Sequence, residues 1–131
     1  MVKQDDNKNN KRNILENFEA QFKKSTLPLM VLKILSEKEQ MYAYEITQEA
    51  LHRTDGVYKM PLLYTTISKL QEQGFVEESE KVITEANRTR VYYRITDDGR
   101  AHLEKLCDLY AQLNHAVRSI VYEEKERMNE E

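Results

Sequence analysis

Glycine is scarce in this chain of 131 residues: there are three, standing alone at Gly56, Gly74 and Gly99. Without clustered glycines there is no dinucleotide-binding turn, no P-loop and no G-x-S-x-G nucleophile elbow, which excludes the nucleotide enzymes and hydrolases built on them. Cysteine is reduced to Cys107. One thiol cannot form an internal disulfide, so nothing asks for an oxidising compartment. Tryptophan is absent, and proline occurs only at Pro28 and Pro61. No apolar run approaches the roughly 20 residues of a membrane span, and the polar start MVKQDDNKNNKR leads into no apolar stretch of the signal-peptide kind. The expectation is a cytoplasmic protein with no membrane partner.

What the chain does contain is charge and helix periodicity. Its length suits one compact domain with appendages, and 40% hydrophobic residues suffice for a core. Charged residues at 33% exceed the roughly 25% of an average soluble domain, which points to water-facing helices. The net charge of -3 argues against a nonspecific coat on nucleic acid, whose affinity comes from neutralising phosphates. The charge is polarised, however. Lys81, Arg88, Arg90 and Arg94 face the single acid Glu85, a balance of +3, whereas residues 123–131 carry -3.

Residues 1–12 lack apolar periodicity and read as a disordered N-terminal arm. Ile14, Leu15, Phe18 and Phe22 then recur at helical spacing, which predicts an extra amphipathic helix over 13–24. Ser25 and Thr26 can cap a second helix with Pro28 in its first turn, its buried stripe formed by Leu27, Met30, Val31, Ile34 and Leu35. A third helix, from Tyr42 to Thr54, buries Ala43, Ile46, Ala50 and Leu51 and stops before Asp55-Gly56. In the fourth, Pro61 suits the first turn and Gly74 the C-terminal cap. Leu63, Ile67 and Leu70 gather on one side of it, and Thr65, Ser68, Lys69 and Glu72 lie roughly opposite.

After Gly74 the period falls from helical to two. Residues 75–84 and 89–95 read as antiparallel strands, with Val91, Tyr93 and Ile95 alternating against Tyr92 and Arg94, and with Asn87 and Arg88 at the tip. Thr96 caps a last helix over 97–127, with Asp97 and Asp98 where the helix dipole favours anions, and 128–131 form a frayed tail. Its seam of Leu103, Leu106, Tyr110, Leu113, Val117 and Ile120 repeats in heptads. At 1.5 Å per residue this helix runs roughly 45 Å, beyond what the rest of the domain can cover, so the seam calls for a two-fold partner and predicts a homodimer.

The fold class expected is mainly α with a small β-hairpin (α+β): a winged helix-turn-helix domain over 25–96 followed by a long C-terminal dimerisation helix. In that layout Thr65, Ser68 and Lys69 face the major groove of double-stranded DNA, where hydroxyls and an ammonium meet base edges and phosphates. Tyr64 either packs at the helix edge or reaches a phosphate. Arg88 and Arg90 form a wing whose cations meet the phosphate backbone or the adjacent minor groove, and Lys59 stands ahead of the helix within reach of another phosphate. Arg94 shares a strand face with Tyr92 and can pair with an acid on a neighbouring helix instead. His52, His102, His115 and Cys107 lack the close spacing of a zinc site and compose no credible triad, so no metal, no cofactor and no enzyme activity is expected. The competing class is an interaction module that uses the same fold without reading DNA sequence.

Four blocks of this sequence, STLPLMVLKIL, MYAYEI, LLYTTISKLQEQGFVE and RTRVYYRITDDGR, resemble in order and spacing those of the PadR family of transcriptional regulators. The resemblance covers about residues 25–105. It implies a DNA-binding repressor or activator that dimerises through its C-terminal helix, some members responding to phenolic or other hydrophobic small molecules. Ala43 stands where the family usually has Gly, and Lys59-Met60-Pro61-Leu62 where it often has a Ser and a Gly. The Trp-lined ligand site of some members does not carry over. Two-fold packing of the last helices against the first leaves either a filled interface or an apolar effector cleft lined by Phe18, Phe22, Met30, Leu106, Tyr110 and Asn114.

Overall fold

The computed structural model describes the backbone of residues 3–122 and the side chains of residues 13–122. These residues form α1 (Lys3–Ser36), β1 (Met41–Tyr42), α2 (Ala43–Arg53), α3 (Leu63–Glu72), β2 (Val76–Ile83), β3 (Thr89–Ile95) and α4 (Asp97–Val121). The sheet is antiparallel in the order β1-β3-β2. This is the expected α+β winged helix-turn-helix class with one strand added. β1 pairs Met41 with Tyr93 and Tyr42 with Tyr92, and a strand of two residues is too short to carry an alternation that sequence periodicity can register.

The first helix corrects the sequence reading in two ways. It begins at Lys3, inside the segment read as a disordered arm, and it runs unbroken through Ser25 and Thr26 where a boundary between two helices was expected. No proline or glycine precedes Pro28, so nothing before that point interrupts the backbone. The Ser25 and Thr26 hydroxyls do not cap a new helix. They donate back to the Phe22 carbonyl at 3.0 and 2.8 Å. Pro28 is an interior residue, a position costing about 3 kcal/mol. Leu27, Val31, Leu32 and Leu35 around it are almost wholly buried, and at roughly 1.5–3 kcal/mol each their burial outweighs that cost.

The connection from β3 to α4 positions the last helix. Thr96 Oγ1 accepts the Gly99 N–H at 3.0 Å and donates to the Gly74 carbonyl at 2.7 Å, so one side chain caps α4 and ties it to the end of α3. Gly74 has φ +81°, the left-handed conformation that ends many helices. Gly99 is required for a different reason: a Cβ there would overlap the Phe75 carbonyl oxygen. Phe75 also stacks on His102 at 4.1 Å between ring centroids. Leu103 is buried in the domain's own core and Leu106 packs against it, so the first two seam positions serve this chain's fold. The expectations for residues 123–131 lie outside the described residues.

Candidate nucleic-acid interface

The amphipathic pattern of α3 decides which of its side chains meet solvent. Leu63, Ile67 and Leu70 are buried, together with Thr66, whose hydroxyl donates to the Leu62 carbonyl at 3.1 Å. Tyr64, Thr65, Ser68, Lys69 and Glu72 are all exposed. The face expected to read DNA is therefore open over its whole length. Within it the residues divide by neighbour. Burial pushes the Tyr93 phenol on β3 up, and the charges of Glu78 and Tyr64 add to that shift. Thr65 and Lys69 border a groove toward α4. Ser68, equally exposed, does not line that groove.

The wing is a hairpin closed by its own side chains and backbone. At its tip Thr84 N–H donates to the Arg88 carbonyl at 2.8 Å, Asn87 N–H donates to the Thr84 carbonyl at 2.9 Å, and Arg88 N–H donates to Thr84 Oγ1 at 3.2 Å. Asn87 takes the left-handed conformation with φ +59°, which Asn tolerates better than most residues. Between Glu78 and Glu80 the register slips by one residue, and the Ser79 hydroxyl donates to Gln40 Oε1 at 2.7 Å. Bulges of this kind bend a strand and re-aim the side chains next to them.

The wing's cations have different surroundings. Arg88 is exposed, and among the described residues no carboxylate pairs with it. Arg90 is half-buried, with its guanidinium carbon 4.1 Å from the centre of the Tyr42 ring. Arg94 is taken by Glu77, its cross-strand partner on β2, at 2.7 Å. The acid is thus on a strand rather than a helix. Lys59 is exposed just ahead of Met60, a buried residue with φ +49°. Sequence reasoning did not single out Tyr42 and Tyr44, which flank Ala43 at the start of α2 and stack on each other. Their spacing of two was a visible signal, but their meeting with Arg90 is a cross-strand contact that no local pattern encodes.

Away from α3, the apolar side chains Tyr110, Leu113, Val117 and Ile120 of α4 are exposed, as are Ile14, Leu15, Phe18 and Phe22 of α1. Phe18 and Phe22 stack at 6.5 Å. α1, α3 and α4 enclose a groove of about 560 Å³. Of the side chains expected to line an effector cleft, Phe22, Leu106, Tyr110 and Asn114 border it; Phe18 and Met30 do not. No described helix is long and apolar enough to cross a membrane. Among the described residues no three His, Cys, Asp or Glu side chains gather where they could hold a metal.

The model of the transcriptional regulator PadR-like family matches residues 31–105, more than half of the chain and the whole of the segment from the core of α1 to the buried start of α4. A curated relative, uncharacterized protein X of Lysinibacillus sphaericus, is 30% identical over 93 residues, which cover 70% of this chain and 84% of the relative. Among solved structures, a transcriptional regulator from Clostridium thermocellum aligns with a TM-score of 0.70 at 23% identity, covering 77% of this chain and 98% of its own. Bacillus subtilis PadR in complex with operator DNA aligns with a TM-score of 0.55 at 23% identity, over 62% of this chain and 46% of that one. By the match to its central segment and the layout of its helices and wing, the chain belongs to the PadR-like family of transcriptional regulators.

Proposed function

We propose that the protein is a sequence-specific regulator that binds double-stranded DNA as a homodimer on an inverted-repeat operator, most simply as a repressor. The observation that carries this reading is the open polar face of α3 beside a wing with an exposed cation at its tip: Thr65, Ser68 and Lys69 are exposed together, and Arg88 stands at the wing tip without a carboxylate partner among the described residues. Hydroxyls and an ammonium on such a helix suit base edges and phosphates in the major groove, and a wing cation suits the flanking backbone. The operator complex of Bacillus subtilis PadR supports the same partner for this chain.

The dimer is supported by the two apolar faces left open on α1 and α4. Tyr110, Leu113, Val117 and Ile120 extend the heptad row past the last residue that the domain buries, Leu103. A second copy related by a two-fold axis covers both copies of that row at once. It also sets two α3 helices for successive major grooves about 34 Å apart, which is why the operator is expected to be an inverted repeat. The partner's helices close the 560 Å³ groove into a cleft within the usual size of a ligand site, and a hydrophobic or phenolic effector bound there shifts DNA affinity by favouring one spacing of the α3 helices.

Selection from random duplexes followed by binding at several salt concentrations tests the reading. Enrichment of an inverted repeat, with affinity falling steeply as salt rises, is the expected result. A flat enrichment profile with affinity indifferent to salt would replace it with a protein-interaction module on the same fold.

A further inference from the structure

The outer face of the wing carries a cluster that the α3-centred reading does not use. Tyr42 and Tyr92 are register partners on β1 and β3, and their rings meet edge to face at 5.4 Å and 72°. Tyr44 also stacks on Tyr42, at 6.4 Å and 15°, and is 63% exposed. Arg90, two residues before Tyr92 and so on the same face of the strand, lays its guanidinium over the Tyr42 ring at 4.1 Å. Two acids stand nearby. Glu45 accepts the Tyr42 backbone N–H at 3.2 Å and lies 4.0 Å from Lys38 Nζ, so its charge is already engaged. Glu80, opposite Tyr92 in the register, forms no ion pair among the described residues.

A guanidinium held over an aromatic ring loses freedom to move, while N–H groups turned away from the ring remain free to donate. It is therefore prepared for a planar set of acceptors, and phosphate oxygens are the acceptors that a duplex offers next to a wing. We propose that Tyr42, Tyr44 and Arg90 form a phosphodiester-binding platform on the outer face of the wing, where Arg90 and the Tyr44 hydroxyl donate to the DNA backbone and Tyr42 is a positioning residue that fixes Arg90. Arg88, in the turn just before β3, stands two residues from Arg90, so a backbone that meets the tip cation can continue over Arg90 toward Tyr44 at the first turn of α2. The platform widens the footprint from the wing tip to the start of the helix-turn-helix. This inference rests on the DNA-binding reading above and adds to it the path of the backbone.

The test is the salt dependence of duplex binding by the full chain carrying Arg90→Ala, Tyr42→Leu, Tyr42→Phe, Tyr44→Phe or the double change Tyr42→Leu/Arg90→Ala. Arg90→Ala should lower the salt slope by about one, the effect of losing one phosphate contact. Tyr42→Leu should lower it equally, Tyr42→Phe should retain the wild-type slope because the ring is kept, and the double change should match Arg90→Ala alone. Tyr44→Phe preserves the stack and removes only the hydroxyl, so it should weaken every duplex by roughly tenfold, whatever its sequence. Tyr44→Phe and Arg90→Ala still decide the matter if Tyr42→Leu fails to fold. Wild-type binding with an unchanged slope and affinity in Arg90→Ala and Tyr44→Phe overturns the platform and leaves the DNA-binding reading intact. A wild type without salt-dependent binding overturns both.

Discussion

The hydroxyls of Thr26 and Tyr58 stand 2.8 Å apart, a hydrogen bond that joins the middle of α1 to the segment leading into α3. Thr26 already donates to the Phe22 carbonyl, so Tyr58 is the donor in this pair. Tyr58→Phe should therefore cost about 0.5–1.5 kcal/mol of stability. Tyr58→Phe placed in a Thr26→Val background should cost much less, since the partner is already gone. Urea unfolding of the four proteins of this cycle measures the coupling, and strictly additive losses would mean that the bond holds nothing together.

The two structural glycines of the α3–α4 connection should differ in their sensitivity. Gly74→Ala meets open space and pays only for a left-handed backbone, about 1–2 kcal/mol. Gly99→Ala places a methyl against the Phe75 carbonyl, a backbone atom that cannot rotate away, and against Ile95. Its loss should exceed that of Gly74→Ala and reach about 3 kcal/mol or more. Thermal unfolding orders the two, and a reversed order would show that α4 slides freely over Phe75.

How much of the fold was legible in the sequence depends on how local each cause is. Thr96 and the acids after it announced the start of α4, and Gly74 the end of α3, because a cap depends on a few adjacent residues. The polar face of α3 was legible for the same reason, since one helical period fixes it. The unbroken α1 was not legible: Ser25, Thr26 and Pro28 are a start signal by every local rule, and the burial that overrides them comes from residues distant in sequence. The Arg90–Tyr42 contact needed β1, and β1 needed β3. The heptad row did not reveal that Leu103 belongs to the domain's own core.

That boundary in the row sharpens the expectation for assembly. Leu113 and Val117 are 58% and 60% exposed in the single chain, so glutamate at both positions costs the fold itself little. In a two-fold interface the same glutamates face buried apolar surface without a partner charge. The wild type should scatter light as a particle of about twice 15.6 kDa, and Leu113→Glu/Val117→Glu as a folded monomer of about half that mass. A monomeric wild type at tens of micromolar would show that no second copy covers the row.

Contacts to phosphate and contacts to bases should separate under mutation. Arg88→Ala is expected to weaken matched and mismatched duplexes alike and to lower the salt slope by about one. Ser68→Ala, in the middle of the open face, should instead change the preference between duplexes, by about 1–3 kcal/mol at one base pair. Competition binding with both duplexes reads the two effects side by side. Equal losses on both for Ser68→Ala would remove it from the base-reading residues.

The groove between α1, α3 and α4 supplies the remaining prediction. Phe22 and Tyr110 offer it aromatic walls, Asn114 a polar handle, and Thr65 and Lys69 of α3 form part of its rim. An occupant is therefore in reach of the helix expected to read DNA, and needs no relay through the core. A ligand that prefers the groove in one arrangement of α3 lowers or raises DNA affinity by the difference in its binding to the two arrangements, typically about 1–3 kcal/mol. A thermal-shift screen with phenolic acids and hydrophobic drugs should return compounds that raise the melting temperature of the wild type, and Tyr110→Ala should abolish that rise. The same compounds should change operator affinity in the wild type and leave it unchanged in Tyr110→Ala. If no compound raises the melting temperature, or if every shift survives Tyr110→Ala, the partner's helices fill the groove completely and the dimer interface carries no effector.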